Sequence, residues 1–245
     1  MILASAQTNP GQKDVFTNLK DHYHWIQVAA DNGANLIVFP EMSITGYVRE
    51  QASELAFSPS DSRLEVLQQM AVDRQLTVVA GAPLRIGPFL LIGSVVFSPD
   101  GSVSHYAKQN LHPGEDEFFH SSMLFNPTIE IEDEKIALAI CADIDHPNHV
   151  HNAFLKNSTL YMPSIFFSPN GIPEAHQILG DYASSYSMNI LMSNFCGKSW
   201  GMDAGGKSAF WSGDGTLISS LDSENPGLLL VEKSGEEWNS KIILN

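Results

Sequence analysis

The sequence has little cysteine and little positive charge, and it has no long apolar run. Its 245 residues include two cysteines, and its 13 Lys and Arg face 28 Asp and Glu, which gives a formal net charge of −15. Two cysteines cannot build a multi-disulfide framework. The negative charge repels nucleic-acid phosphates and anionic lipid headgroups, so neither is an expected partner. No stretch approaches the roughly 20 apolar residues that span a bilayer.

The chain also lacks the compositional breaks that separate domains. It has no Gly/Ser-rich or Pro-rich linker, no low-complexity tract and no repeat of fixed period. Hydrophobic residues make up 43% and charged residues 17%, as in an ordinary folded protein. We therefore expect residues 1–245 to form a single domain. Because the first residues lack a basic segment followed by an apolar core, we also expect a cytoplasmic protein.

The beginning of the chain has the pattern of a β-α-β unit. Residues 2–7 are predicted to form a strand, and apolar residues then recur every three or four positions over 15–30, on one face of a helix. A second buried strand over 36–39 leads to Glu41. Two strands joined in this way normally pair in parallel. Strands and helices continue to alternate, which predicts an α/β protein with mixed sheets covered by helices.

Three reactive side chains follow predicted strands. In the sequence, Glu41 and Lys108 each follow a predicted strand, and Cys141 directly follows the apolar run 136–140. In α/β folds such strand ends collect active-site residues. A thiol needs a base, which a desolvated carboxylate supplies, and an ammonium stabilises negative charge on a substrate oxygen. Taken alone, Cys141 fits an ordinary buried cysteine better, but the three residue types together suit attack on an acyl carbon.

Three segments carry these residues: Phe39–Tyr47 (FPEMSITGY), Tyr106–Glu115 (YAKQNLHPGE) and Ile140–Asp143 (ICAD). In order and spacing they resemble the signature blocks of the nitrilase superfamily, the carbon–nitrogen hydrolases, in its amidase-like branch. Residues 194–197 and 206–215 resemble the closing part of that family. The resemblance implies a four-layer α-β-β-α sandwich, commonly assembled as a homodimer or a higher homo-oligomer. It implies no metal or organic cofactor.

The resemblance also implies a catalytic role for each matched residue. Glu41 corresponds to the general base, Lys108 to the lysine that stabilises the tetrahedral oxyanion, and Cys141 to the nucleophile that becomes acylated. The backbone N–H of Ala142, next to the nucleophile, corresponds to a second oxyanion donor.

Other residues are assigned less directly. Many family members carry a further glutamate after the lysine, for which Glu115 is the best match and Glu117 the alternative. Phe166 and Phe167 end the next predicted strand and are candidates to contact the substrate. Many members have glutamate where this sequence has Asn148, which leaves the subgroup and the substrate open.

Different chemistry is possible for some of these residues. Cys141 lies near a set of potential metal ligands in the sequence, namely Asp143, Asp145, His146, His149 and His151. However, the chain lacks a His-Glu-x-x-His motif and paired Cys-x-x-Cys motifs, and it has no Gly-x-Ser-x-Gly elbow of a serine hydrolase. Cys196 is expected to be structural.

We therefore expect a cysteine-dependent hydrolase of a small carboxamide, ω-amide or N-carbamoyl compound, which works through a thioester. Two alternatives remain open at this point. One is a nitrile hydrolase, and the other is a catalytically weak family member that serves as a binding scaffold.

Overall fold

Two mixed β-sheets organise the chain, which the computed structural model describes over residues 1–244. The first sheet has seven strands, in the spatial order β15 (Glu237–Leu244), β14 (Gly227–Ser234), β1 (Ile2–Gln7), β2 (Leu36–Val38), β3 (Thr77–Ile86), β4 (Phe89–Phe97) and β5 (Val103–Ala107). The second has six, in the order β13 (Leu217–Ser220), β12 (Ala209–Trp211), β9 (Asn189–Met192), β8 (Leu160–Ser164), β7 (Glu134–Ile140) and β6 (Thr128–Ile131). A small hairpin consists of β10 (Lys198–Ser199) and β11 (Met202–Asp203).

Both large sheets are parallel at the centre and antiparallel at the edges. Strands β1, β2 and β3 pair in parallel, as do β7, β8 and β9. The helices are α1 (Val15–Asp31), α2 (Ala52–Leu55), α3 (Glu65–Arg74), α4 (Pro147–Leu155) and α5 (Ile172–Tyr186). No helix within residues 1–244 combines the length and the apolarity needed to cross a membrane.

Alternation along the strands builds three apolar layers. On β2, Leu36 and Val38 join the cluster between the two sheets, whereas Ile37 joins the cluster beneath α1 and α3. On β7, Leu138 faces the central cluster, and the neighbouring Ala139 packs in the cluster of α4 and α5. Because successive strand residues point to opposite faces, each central strand contributes to two layers. The predicted α-β-β-α sandwich is confirmed.

Helix α1 shows how packing refines the predicted pattern. Asp14 caps it by accepting a hydrogen bond from the Thr17 N–H at 3.0 Å. Its buried face includes His22 and Trp25, whereas Tyr23 is only partly buried at the edge of that face. A histidine counts as polar in a hydropathy pattern, so its burial was not predicted.

Some boundaries differ from the sequence-based prediction. The strand predicted to end at Phe166 and Phe167 ends at Ser164, so both phenylalanines lie in the following loop. The edge strand β15 was not predicted, because most of its residues are exposed and its pattern lacks clear alternation.

Gly81 of β3 allows the turn that carries Glu41 to approach the sheet closely. Its N–H donates to Ser43 Oγ at 3.1 Å, and its carbonyl accepts from the Ile44 N–H at 3.0 Å. A Cβ at this position would overlap the backbone of Pro40 and Met42, on both sides of Glu41. The absence of a side chain at position 81 therefore fixes where Glu41 lies.

We predict that Gly81→Ala lowers the free energy of unfolding by about 1–3 kcal/mol, because the new methyl group overpacks a rigid backbone contact. The matched control is Gly180→Ala in the interior of α5, where a Cβ would meet its nearest neighbour, Trp211 Nε1, at 3.6 Å. Helix propensity makes that change neutral or stabilising by up to about 1 kcal/mol. Urea unfolding of both variants measures the difference. Equal midpoints for Gly81→Ala and the wild type would contradict the prediction.

Candidate functional site

Glu41, Lys108 and Cys141 come from both sheets and meet at one end of the sandwich. Glu41 lies in the turn after β2, Lys108 follows β5 directly, and Cys141 follows β7 directly. The Lys108 Nζ atom lies 2.8 Å from Glu41 Oε1, and both side chains are completely buried. Glu41 and Cys141 shift each other's pKa, so the thiol lies within electrostatic range of the carboxylate. The residues predicted from three separate strand ends therefore form one cluster.

A second glutamate completes the environment of the lysine. Glu115 Oε1 lies 2.9 Å from Lys108 Nζ and accepts a hydrogen bond from the Tyr47 hydroxyl at 2.7 Å. Its other oxygen accepts from the His112 N–H at 2.8 Å. Glu117, the alternative in the sequence, is exposed. The structure thus places Glu115 beside the lysine and leaves Glu117 at the surface.

Burial sets the protonation states of the cluster. Desolvation raises the pKa of Glu41 to about 7, against the opposing charge of Lys108. For Lys108, burial lowers the pKa, but the negative charges around it, first that of Glu41, raise it further, so the amine stays protonated. Burial and the charge of Glu41 raise the pKa of Cys141 well above its ordinary value. Near neutral pH, the site therefore pairs a neutral thiol with a carboxylate close to its titration midpoint.

One oxygen of Glu41 is left free for chemistry. Oε1 accepts the hydrogen bond from Lys108, whereas Oε2 is buried and has no hydrogen-bond partner among residues 1–244. A buried carboxylate oxygen without a donor is costly and is rarely kept in a folded protein without a reason. Such an oxygen can accept a proton from a thiol or a water.

Cys141 occupies a strained backbone position. Its φ angle is +44°, in the left-handed region that non-glycine residues seldom adopt, and it starts a 3₁₀ turn that runs to Asp145. Ala142 is buried in the first turn of this short helix, where backbone N–H groups have no partner within the helix. The turn brings Cys141 and the Ala142 N–H to the end of β7 together.

A buried carboxylate fixes the distance between the lysine and the cysteine segments. Asp143 Oδ1 accepts hydrogen bonds from the backbone N–H groups of Gln109 and Asn110, which directly follow Lys108, at 3.1 and 2.8 Å. Its Oδ2 accepts from the Tyr106 hydroxyl at 2.7 Å and from the N–H of Ile140, the residue before Cys141, at 2.9 Å. Asp143 thus joins the end of β5 to the end of β7, across the two sheets.

The histidines near Cys141 in sequence have other surroundings. His149 is buried between the hydroxyls of Tyr106 and Tyr161, at 2.8 and 2.9 Å, while His146 and His151 are exposed. In the part of the chain that the structure describes, no three His, Cys, Asp or Glu side chains are arranged to hold a metal ion. Cys196 is also buried, and burial raises its pKa to about 12.

A cavity of about 290 Å³ opens onto the cluster. Cys141 and Glu41 lie in its wall with Phe166 and Phe167, so both predicted phenylalanines reach it from the loop after β8. The Phe166 ring packs against Tyr47 at 5.2 Å between centroids. A larger cavity of about 330 Å³ lies near His149 and contains none of the three clustered residues. The smaller cavity is the candidate active site, because the thiol of Cys141 lies in its wall.

Sequence reasoning missed part of the wall. Arg49 and Trp200 line the same cavity, and the indole belongs to the turn between β10 and β11. Arg49 follows the first signature block by two positions, and this proximity was the only signal for it. Nothing in the sequence placed residue 200 beside residue 49.

Comparisons with known proteins identify the family. The sequence model of the family described as carbon-nitrogen hydrolase matches residues 2–240. A protein named nitrilase from Pyrococcus abyssi is 29% identical over 182 residues, which cover 70% of this chain and 68% of that protein. A protein named (R)-stereoselective amidase from a Pseudomonas species is 32% identical over 115 residues, which cover 46% of this chain and 41% of that protein.

Solved structures show the same fold. The amidase NitN from Nesterenkonia sp. AN1 superposes with a TM-score of 0.85 at 24% identity, covering 96% of this chain and 93% of that one. A mutant of that amidase in complex with butyramide gives a TM-score of 0.85 at 23% identity, covering 96% and 92% of the two chains. Since the family model spans nearly the whole sequence, this protein belongs to the carbon–nitrogen hydrolase family.

Proposed function

We propose that this protein hydrolyses the carbon–nitrogen bond of a small carboxamide through a thioester on Cys141. The observation that carries the proposal is the buried cluster in which Lys108 binds Glu41 and Glu115 beside the thiol, at the wall of a small cavity. Glu41 is the general base, Lys108 and the Ala142 N–H bind the oxyanion, and Glu115 orients the lysine.

The first half of the reaction forms the acyl-enzyme. Glu41 takes the proton of the Cys141 thiol as the sulfur attacks the amide carbon, and the carbonyl oxygen becomes an oxyanion held by Lys108 and the Ala142 N–H. The carbon–nitrogen bond then breaks. Glu41 returns the proton to the leaving nitrogen, so that ammonia departs and a thioester remains.

The second half consumes one water molecule. Glu41 removes a proton from the water as its oxygen attacks the thioester carbon, and the carbon–sulfur bond breaks. The proton passes to the sulfur, which restores the thiol and the carboxylate of Glu41. The sum of both halves is amide plus water to carboxylic acid plus ammonia, without a redox step.

The protonation states favour base catalysis over a preformed thiolate. The raised pKa of Cys141 keeps the thiol neutral, and a base works best when its pKa lies near the working pH, as that of Glu41 at about 7 does. The free Oε2 atom of Glu41 is the natural acceptor of that proton.

The cavity volume and the names of the relatives limit the substrates to be tested. About 290 Å³ is near the lower end for ligand pockets and suits small molecules. Simple amides, ω-amides and N-carbamoyl compounds are therefore the first candidates. Nitrile hydrolysis is a second candidate, because a relative with 29% identity is named a nitrilase. A catalytically weak scaffold is the less favoured alternative, because a scaffold role does not explain why the chain has a complete cluster of acid, lysine and thiol.

The direct test measures ammonia release from amides, ω-amides, N-carbamoyl acids and nitriles. We expect Cys141→Ala to abolish release, because it removes the nucleophile. Cys196→Ala is the matched control, since Cys196 is the other buried free cysteine and does not line the cavity. We expect it to retain activity. Equal release by the wild type and Cys141→Ala would contradict the proposal, and the best substrate would separate the amide from the nitrile reaction.

The pKa of Glu41 gives a pH dependence with a defined sign. The base must be ionised, so kcat/KM should fall about tenfold per pH unit below the pKa of Glu41, which burial raises to about 7. We expect the acidic limb to have a slope of one proton and Glu41→Gln to be inactive across the range. An activity that stays constant from about pH 8 down to pH 5 would show that Glu41 is not the base.

A further inference from the structure

Arg49 lies in the wall of the cavity that contains Cys141, and it is held in a fixed orientation. Its Nε atom donates to the Tyr47 hydroxyl at 2.8 Å, and its guanidinium carbon lies 4.4 Å from the centroid of the Trp200 indole. An arginine stacked on an aromatic ring and hydrogen-bonded at Nε loses little further freedom when it binds a ligand.

The outer nitrogens of Arg49 have little to bind. One of them is 3.4 Å from the Pro113 carbonyl, which is a long contact, and no carboxylate of residues 1–244 lies within 4.0 Å of the guanidinium. The adjacent Glu50 instead accepts a hydrogen bond from the Trp200 indole N–H at 3.3 Å. In a chain with 28 acidic and 13 basic residues, an arginine without an ion pair inside a cavity is unexpected.

The charges around the cavity allow an anion to bind there. Lys108 stays protonated between Glu41 and Glu115. Arg49 supplies a second positive charge, and the Tyr47 hydroxyl connects it to Glu115 by accepting a hydrogen bond from Arg49 and donating one to Glu115. Two cations therefore balance the two carboxylates in the cavity wall, Glu41 and Glu115, whereas the exposed Glu50 does not line the cavity. The whole protein carries a net charge of −15. A planar guanidinium with free N–H groups matches a carboxylate, which it can bind through two hydrogen bonds.

We infer that Arg49 binds a carboxylate of the substrate, so that the preferred substrate is a small amide that carries a second, ionised acid group. This inference rests on the proposed amide hydrolysis at Cys141. Among the candidate substrates it favours amides that also carry a carboxylate, such as ω-amides and N-carbamoyl acids, over neutral carboxamides. Arg49 is then a specificity-determining residue. It binds the carboxylate end of the substrate, and the amide carbon at the other end of the substrate faces the thiol.

The test compares two ligands of the same shape that differ in charge. Glutaramate carries an amide and a carboxylate, and glutaramide carries an amide at each end. Calorimetry on Cys141→Ala protein measures their binding without turnover, and ammonia release by protein with Cys141 intact gives the ratio of their kcat/KM values. Both measurements are repeated with Arg49→Gln and Arg49→Lys. The matched control is Arg74→Gln, which removes one positive charge from the exposed outer side of α3.

We expect glutaramate to bind at least about tenfold more tightly than glutaramide, a difference of about 1.4 kcal/mol. Arg49→Gln should reduce this preference to less than about threefold, Arg49→Lys should restore part of it, and Arg74→Gln should leave it unchanged. The kcat/KM ratio should follow the same order, mainly through KM.

Equal binding of the two ligands, no measurable binding of glutaramate, or a preference that survives Arg49→Gln would overturn the inference. These results are distinct from a failure of the proposed function. If neutral amides are hydrolysed through Cys141 and the ratio is independent of residue 49, amide hydrolysis stands and the carboxylate site does not. If glutaramate binds through Arg49 but Cys141→Ala has no effect on ammonia release, the binding site stands and the thiol mechanism does not.

Discussion

Lys108 is a completely buried cation, and the end of the sandwich around it depends on neutralising that charge. An unpaired ammonium in this position would cost several kcal/mol, and the structure supplies two carboxylates, Glu41 and Glu115, each within 3 Å of the amine. Glu115 is in turn held by the Tyr47 hydroxyl and the His112 N–H. The loop after Lys108 therefore folds back onto the lysine from which it starts.

The same charges prepare the site for chemistry. Because Lys108 uses only one oxygen of Glu41, the other has no hydrogen-bond donor among residues 1–244, and desolvation raises the pKa of Glu41 to about 7, near neutral pH. Asp143 adds a geometric constraint, since three of the hydrogen bonds that it accepts come from the backbone N–H groups of Gln109 and Asn110, after Lys108, and of Ile140, before Cys141. The ion cluster provides the electrostatics, and Asp143 sets the spacing between the two sheets at the end where the cluster lies.

The sequence predicted the parts of this arrangement that depend on local pattern. Glu41 and Cys141 each follow a short apolar strand from the parallel centre of a sheet. Lys108 follows the antiparallel edge strand β5, which runs in the same direction as β2 because β4 lies between β3 and β5. The sequence grouped the three residues through their positions after predicted strands and through the motif resemblance. From the sequence, Glu115 is the better match and Glu117 the alternative. Their different burial within one acidic loop could not be predicted from the residues alone.

Other features depend on contacts between distant segments. The stacking of Trp200 on Arg49 brings together residues about 150 positions apart in the sequence. Trp200 lies in a hairpin whose two strands have only two residues each, which is too short to show hydrophobic alternation. The edge strand β15 was missed for a related reason, since its pairing with β14 determines it more than its own residues do. The single-domain organisation and the expected homodimer stay predictions.

The central claim is that Cys141 carries the acyl group during turnover. The most direct measurement mixes the protein with a hydrolysed amide, quenches the reaction in acid within milliseconds to seconds, and determines the intact mass and the modified peptide by mass spectrometry. The account predicts a mass increase equal to the acyl group, located on Cys141 and absent from Cys141→Ala. Ammonia release by a protein that stays unmodified at Cys141, or that carries the acyl group on another residue, would contradict it.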